Sequence, residues 1–244
     1  MLDMLVKAAF ETSQRRYGSV KICRQLIEQG HSCSRTGVAV SMRRQGLCSK
    51  VRRKFVVTTH SKHELKASPN LLNRNFQTNR PNMAWVSDIT YLKSRMGWLY
   101  LTVFIDLFSR RVVGWCVSPS LGHEMVLKAL SRAAWNRKPD PGLVIHSDRG
   151  IQYCCGGFRK AIQTHQFVQS MSRKGNCWDN AVAESFFRSL KTEWLYHIDL
   201  IDQDHAQQEL FAYIEGFYNN QRLHAYLDYL SPATFERLLK QNVA

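Results

Sequence analysis

Apolar side chains return every three or four positions over the first part of the chain. Leu2, Leu5, Val6, Ala9 and Phe10 form one stripe, Val20, Ile22, Cys23, Leu26 and Ile27 a second, and Val38, Val40 and Met42 a third. This period sets one face of each segment against a core and predicts three short helices, over 1–16, 20–29 and 35–45. Ser19 and Ser34 are placed to cap the second and third, and Gly30 and Gly46 to end them. Three helices with tight turns, the last carrying Arg35, Arg43 and Arg44, suit a helix-turn-helix, against the simpler alternative of a three-helix bundle with a basic face.

From Trp85 the pattern changes to strands. Residues 85–92, 98–107 and 111–117 read as three strands whose short connections imply an antiparallel meander. A helix follows over 123–136, with Met125, Val126, Leu127, Leu130 and Ala133 to Trp135 on its apolar side, ended by Pro139 and Pro141. Residues 143–146 read as a buried strand, 158–164 as a helix and 167–171 as a fifth strand. The order predicts a mixed five-stranded sheet flanked by helices, an α/β architecture.

Next comes a helix with Ala183, Phe187, Leu190 and Trp194 as its stripe, capped by Asp179 or Asn180. A longer helix over 203–218 turns Leu210, Phe211, Ile214 and Phe217 inward, and Ser231-Pro232 opens a last one through Leu239. The stretch 50–80 has no sustained period and opens on the basic run Lys50-Val51-Arg52-Arg53-Lys54. It is expected to be a basic linker, lying along a phosphate backbone or acting as a solvated tether. The expected units are 1–49, a helix-turn-helix; 50–80, the linker; 81–196, a catalytic core; and 197–244, a helical extension.

Charge sharpens this picture. The 244 residues carry a formal charge of +15. Residues 1–80 hold 16 Lys or Arg against 4 Asp or Glu, a net of +12, which points to a polyanionic partner met by the front of the chain. Seven cysteines show no pairing rhythm, and neither a signal peptide nor an apolar run long enough to cross a membrane is present. A reducing cytoplasm with free thiols is the expectation.

Three acids then stand out. Asp88 lies in the apolar run AWVSDITYL, Asp148 closes LVIHSDRG, and Glu184 sits in WDNAVAESFFRSLKTEW at helical period. A carboxylate among apolar neighbours is costly to desolvate unless it is paired or coordinates a cation. A strand-end acid stands where α/β sheets place ligands. The alternatives are a hydrogen-bonded buried Asp, a turn Asp and an exposed salt-bridging helix face. Glu184, Arg188 and Lys191 share a helix face. Asp106 is also embedded in an apolar run, at a strand end that suggests a structural role. His146 reads as a strand histidine, with a proton shuttle as the other possibility. No phosphate loop for nucleotide hydrolysis and no G-x-S-x-G elbow is present.

Five ordered strings carry a resemblance: PNMAWVSDITYL, FIDLFSRRVVGW, HSDRGIQY, SRKGNCWDNAVAESFFRSLKTE and YNNQRLHAYLDYLSPATF. Together they are similar to the downstream-frame transposases of bacterial insertion sequences, whose catalytic core is related to retroviral integrases. The resemblance implies a ribonuclease-H-like fold. It implies a metal-binding triad of Asp88, Asp148 and Glu184, two Mg²⁺ (or Mn²⁺) ions, and metal-dependent cleavage and transfer of DNA strands. Lys191 matches a basic position that meets DNA in the family, and 17–47 resembles its helix-turn-helix. Expected DNA contacts are Lys191, Arg188, Arg35, Arg43, Arg44, Arg52, Arg53 and Lys54. Element ends and target DNA are the implied partners, with a homo-oligomer and the upstream-frame product beside them. Asp228 stands where the family commonly shows Gly, and Cys154-Cys155 where small polar residues are usual. A short leading segment raises a second expectation, a catalytically silent DNA-binding product of the same element. A ribonuclease-H-type nuclease would share the metal chemistry.

Overall fold

The computed structural model describes residues 1–50, 67–173 and 176–241. Strand β1 (Ala84–Ser94) is the middle of a five-stranded sheet completed by β2 (Gly97–Asp106), β3 (Val112–Ser118), β4 (Val144–Ser147) and β5 (Val168–Met171). The spatial order is β3-β2-β1-β4-β5. The meander β1-β2-β3 is antiparallel, with a register shift between Phe104 and Ile105. Strands β4 and β5 run parallel to β1, which requires the crossover helices α4 (His123–Arg137), α5 (Ile151–Cys154) and α6 (Gly156–Thr164).

Each face of the sheet builds its own core. Trp85, Phe104, Ile145, Leu130 and Phe158 pack on the side of α4 and α6. Val86, Leu92, Leu101 and Val103 meet Phe187 and Leu190 of α7 (Ala181–Glu193) on the other side. The second core continues into α1 (Leu2–Thr12), α2 (Ser19–Glu28) and α3 (Arg35–Arg44) through Val6, Phe10, Ile22 and Leu26. A buried Leu, Ile or Phe contributes about 1.5–3 kcal/mol each, so this continuity binds the front helices firmly to the rest. Tyr17 adds direction: its hydroxyl donates to the Gln221 carbonyl at 3.1 Å and accepts from Leu223 N–H at 3.0 Å. The Arg16 guanidinium lies 4.1 Å from the Phe217 ring centre.

Several local expectations are corrected. Val40 is 51% exposed, because two residues along a helix turn the side chain by about 200° from Val38. Ser41 is buried in its place and donates to Asp3 at 2.6 Å. Trp135 and Phe211 also face outward. Gly18, not Ser19, is the N-cap of α2. The helix expected over 203–218 is α8 (Gln203–Phe211) followed by a π-helical segment, Ala212–Tyr218. That wider turn lets Tyr213, Ile214, Phe217 and Tyr218 all be buried. Helix α9 (Pro232–Gln241) returns to the sheet edge, where Glu236 accepts from Ser109, Arg111 and Arg137.

Residues 67–80 are not a solvated tether. Leu72 and Phe76 pack on the core, Leu71 N–H donates to Ser170 Oγ, and Arg74 pairs with Asp179 at 3.0 Å. No helix among the described residues is long and apolar enough to cross a membrane.

Candidate active site

Strand register brings the two aspartates side by side. Ser87 of β1 pairs with Ser147 of β4, so Asp88 and Asp148 occupy the next positions of two neighbouring parallel strands. Alternation sends Asp88 to the same face as Val86 and Leu92, the face covered by α7. Glu184 lies in the first turn of that helix and is exposed. Asp88 Oδ1 accepts from Ile89 N–H at 2.8 Å, and Asp148 Oδ1 accepts from Gly150 N–H at 2.9 Å.

The electrostatics follow from this crowding. Burial holds the Asp88 carboxyl well above the usual carboxylate range, and the charge of Asp148, with that of Glu184, pushes it the same way. The Ile89 N–H and the Lys191 ammonium pull against them. Partial shielding from water by the surrounding protein also raises Glu184, opposed by Arg188, and burial lowers Lys191, opposed by Asp88. The three acids therefore form a like-charged neighbourhood with two cations alongside on α7. Among the described residues no three His, Cys, Asp or Glu side chains are yet grouped to hold one metal ion together. Each aspartate is turned toward a backbone N–H instead.

The basic residues form a separate region. Arg35 and Arg43 project into solvent from α3, and Arg44 is ion-paired with Asp3 of α1 while its side chain stays 66% exposed. Arg52, Arg53 and Lys54 lie outside the described residues. Arg188 and Lys191 stand near the carboxylates.

Asp106 and His146 are built into the scaffold. Asp106 is fully buried and accepts from Asn82 N–H, Phe108 N–H and Arg137. His146 is enclosed between Ser170 Oγ at 2.8 Å and Ser172 Oγ at 3.2 Å, and burial lowers its pKa to about 4, so it is neutral at pH 7. Asp179 is the residue whose importance periodicity missed. It is no cap for α7; its buried carboxylate accepts from Arg173, Arg74 and Asn70, with Arg173 first in holding it below the usual range. The sequence signal is weak, since all three partners are distant or polar residues in loops.

Comparison with known proteins places this geometry in a family. An integrase core domain profile matches residues 78–177, a second integrase core domain profile matches 165–232, and an HTH-like domain profile matches 2–55. Transposase InsF for insertion sequence IS3A of Escherichia coli K12 is 43% identical over 96% of this chain and 81% of its own length. An uncharacterized 31 kDa protein of insertion element IS600 from Shigella sonnei is 39% identical over 100% of this chain and 89% of its own. Among solved structures, the catalytic core of HTLV-2 integrase in complex with magnesium superposes with a TM-score of 0.51 over 66% of this chain and 99% of that one, at 16% identity. A simian T-cell lymphotropic virus intasome, in complex with a PP2A regulatory subunit, gives a TM-score of 0.55 over 90% of this chain and 74% of that one, also at 16% identity, which speaks for the fold alone. The chain belongs to the family of bacterial insertion-sequence transposases that carry a ribonuclease-H-like integrase core behind N-terminal helix-turn-helix helices.

Proposed function

We propose that Asp88, Asp148 and Glu184 are the catalytic and metal-binding residues of this transposase, holding Mg²⁺ or Mn²⁺, two ions in all, for cleavage and joining of DNA strands. The observation that supports this most is the strand register, which sets the half-buried Asp88 beside Asp148 on the face covered by the helix that carries Glu184. Like charges gathered at a strand end make ionisation costly, and a bound cation would offset that cost. The donor chemistry fits: all three are hard oxygen ligands, and Mg²⁺ is commonly held by one or two carboxylates completed by water and phosphate. Acids that do not yet close around a single point are therefore compatible with it. Bound there, metal would supply Lewis-acid stabilisation of the attacking and departing oxygens in an in-line displacement at phosphorus.

The chain's own groups do the rest. Asp88 is fixed to a strand, Asp148 directly follows the end of another, and Glu184 is carried on a packed helix. Arg188 and Lys191 meet the phosphate being exchanged, while Arg35, Arg43 and Arg44 with Arg52, Arg53 and Lys54 grip flanking backbone. No ATP and no covalent enzyme intermediate is needed, since one phosphodiester is exchanged for another or for water. Joining two DNA ends calls for a homo-oligomer, with the upstream-frame product as a further partner, working on the nucleoid in the bacterial cytoplasm. Residues 1–49, 50–80, 81–196 and 197–244 are the units we assign to binding, linking, catalysis and support.

The test is Asp148→Asn. Strand cleavage with Mn²⁺ should fall by more than the about 10–100-fold that follows loss of an outer hydrogen-bond partner, with DNA affinity unchanged. Cleavage at the parent rate would refute the assignment. Wild-type chain that binds element ends yet never nicks them would instead identify a catalytically silent product.

A further inference from the structure

Ser87, the residue before Asp88, is tied to both of the other carboxylate-bearing elements. Its hydroxyl is 2.8 Å from the hydroxyl of Tyr153 in α5, the helix that begins three residues after Asp148. Its carbonyl accepts from Asn180 Nδ2 at 3.2 Å, and Asn180 is the N-cap of α7, which carries Glu184. All three residues are buried.

Both ties are made at the expense of ordinary local chemistry. An Asn at a helix N-cap normally accepts from the first backbone N–H groups of its own helix. Asn180 makes no such bond, and its Oδ1 is buried without a hydrogen-bond partner. Its amide is spent on β1 instead. Tyr153 is 1% exposed with its hydroxyl taken deep beneath the sheet, where two carboxylates, Asp88 and Asp148, add to burial in keeping it protonated. A Phe would fill the same apolar site without a polar group to satisfy. The two bonds run in different directions from one residue, so together they set the spacing of β1, the segment after Asp148, and the first turn of α7.

We propose that Asn180 and Tyr153 are positioning residues, which hold Glu184 and Asp148 at their working distances from Asp88 through their common anchor, Ser87. This rests on the reading of the three acids as metal ligands, and the experiment separates the two. Full-length wild type, Asn180→Ala, Asn180→Asp, Tyr153→Phe and Asp148→Asn are compared in three measurements. These are Mn²⁺ binding followed by the paramagnetic resonance of free Mn²⁺, thermal melting without metal, and strand transfer as a function of Mn²⁺ concentration.

The expected result is a rise of about 10–100-fold in the half-saturating metal concentration for Asn180→Ala and Tyr153→Phe. Excess Mn²⁺ should recover much of their turnover, since the ligands themselves remain. Asp148→Asn should not be recovered. Asn180→Asp, which loses the donor and keeps the shape, should behave as Asn180→Ala does, and it decides the matter if the alanine variant does not fold. Metal affinity within twofold of wild type in Tyr153→Phe and Asn180→Asp would overturn the proposal. Equal Mn²⁺ binding by wild type and Asp148→Asn would overturn the ligand assignment on which it stands.

Discussion

At the scale of single residues, the unusual group is the Asp88 carboxyl. Its folded-state pKa is raised, so the native protein binds that proton more tightly than the unfolded chain does. The stability this contributes is complete below the usual carboxylate range and is lost as pH rises through the raised value. Above the usual carboxylate range and without metal, the Asp88 carboxyl therefore works against the fold, because the unfolded chain ionises it more easily. Asp88→Asn should raise the melting temperature in chelator at pH 7, by about 2–4 °C for each 1 kcal/mol of repulsion removed, and the gain should vanish near pH 4. A melting temperature that falls at pH 7 would refute the charge argument. Backbone chemistry explains the two departures from the family pattern. Asp228 adopts φ +50°, the left-handed region where Gly is the easier residue and Asp is among the tolerated ones. Cys155 caps α6, its Sγ accepting from Phe158 N–H at 3.5 Å where a small hydroxyl would ordinarily serve.

At the scale of elements, two contacts decide whether the layers can meet. Gly114 of β3 lies so close to α4 that a Cβ there would come within 2.7 Å of the Ala133 Cβ. Gly114→Ala should cost about 1–3 kcal/mol by overpacking, read as a shift in the urea midpoint with unchanged slope. Asp179 joins two loops to the start of α7, accepting from Asn70 and Arg74 of one and from Arg173 of the other. Both guanidinium partners are about half exposed and can rehydrate. Asp179→Ala should therefore cost about 2 kcal/mol, less than a fully enclosed pair would. Because this carboxyl is held low, its stabilisation is present above the usual Asp range and declines as pH falls below it. The variant should thus lose less stability than wild type between pH 4 and the acid limit.

At the scale of the whole molecule, the second core runs without a break from α1 to the π-helical segment. The front helices and the catalytic sheet should then unfold together, giving coincident transitions by far-ultraviolet circular dichroism and tryptophan fluorescence. An earlier, separate melt of residues 1–50 would refute this. The sequence by itself determined the order of the strands and of the longer helices (though not the short α5), the strand alternation that turns Asp88 inward, and the concentration of charge in residues 1–80. Periods of two and of 3.6, and the number of cations, are properties of the chain before it folds. The inward assignment of Val40 runs against the helical period itself, which sets it about 200° from Val38, whereas Trp135 and Phe211 are left exposed by the way their helices pack. Tertiary structure alone decided the parallel pairing of β1 with β4, and so the meeting of residues 88 and 148. It alone brought Asn180, Tyr153 and Ser87 together and gave Asp179 its partners. Such contacts join positions from 6 to 109 residues apart through single hydrogen bonds, which leave no periodic trace in the chain.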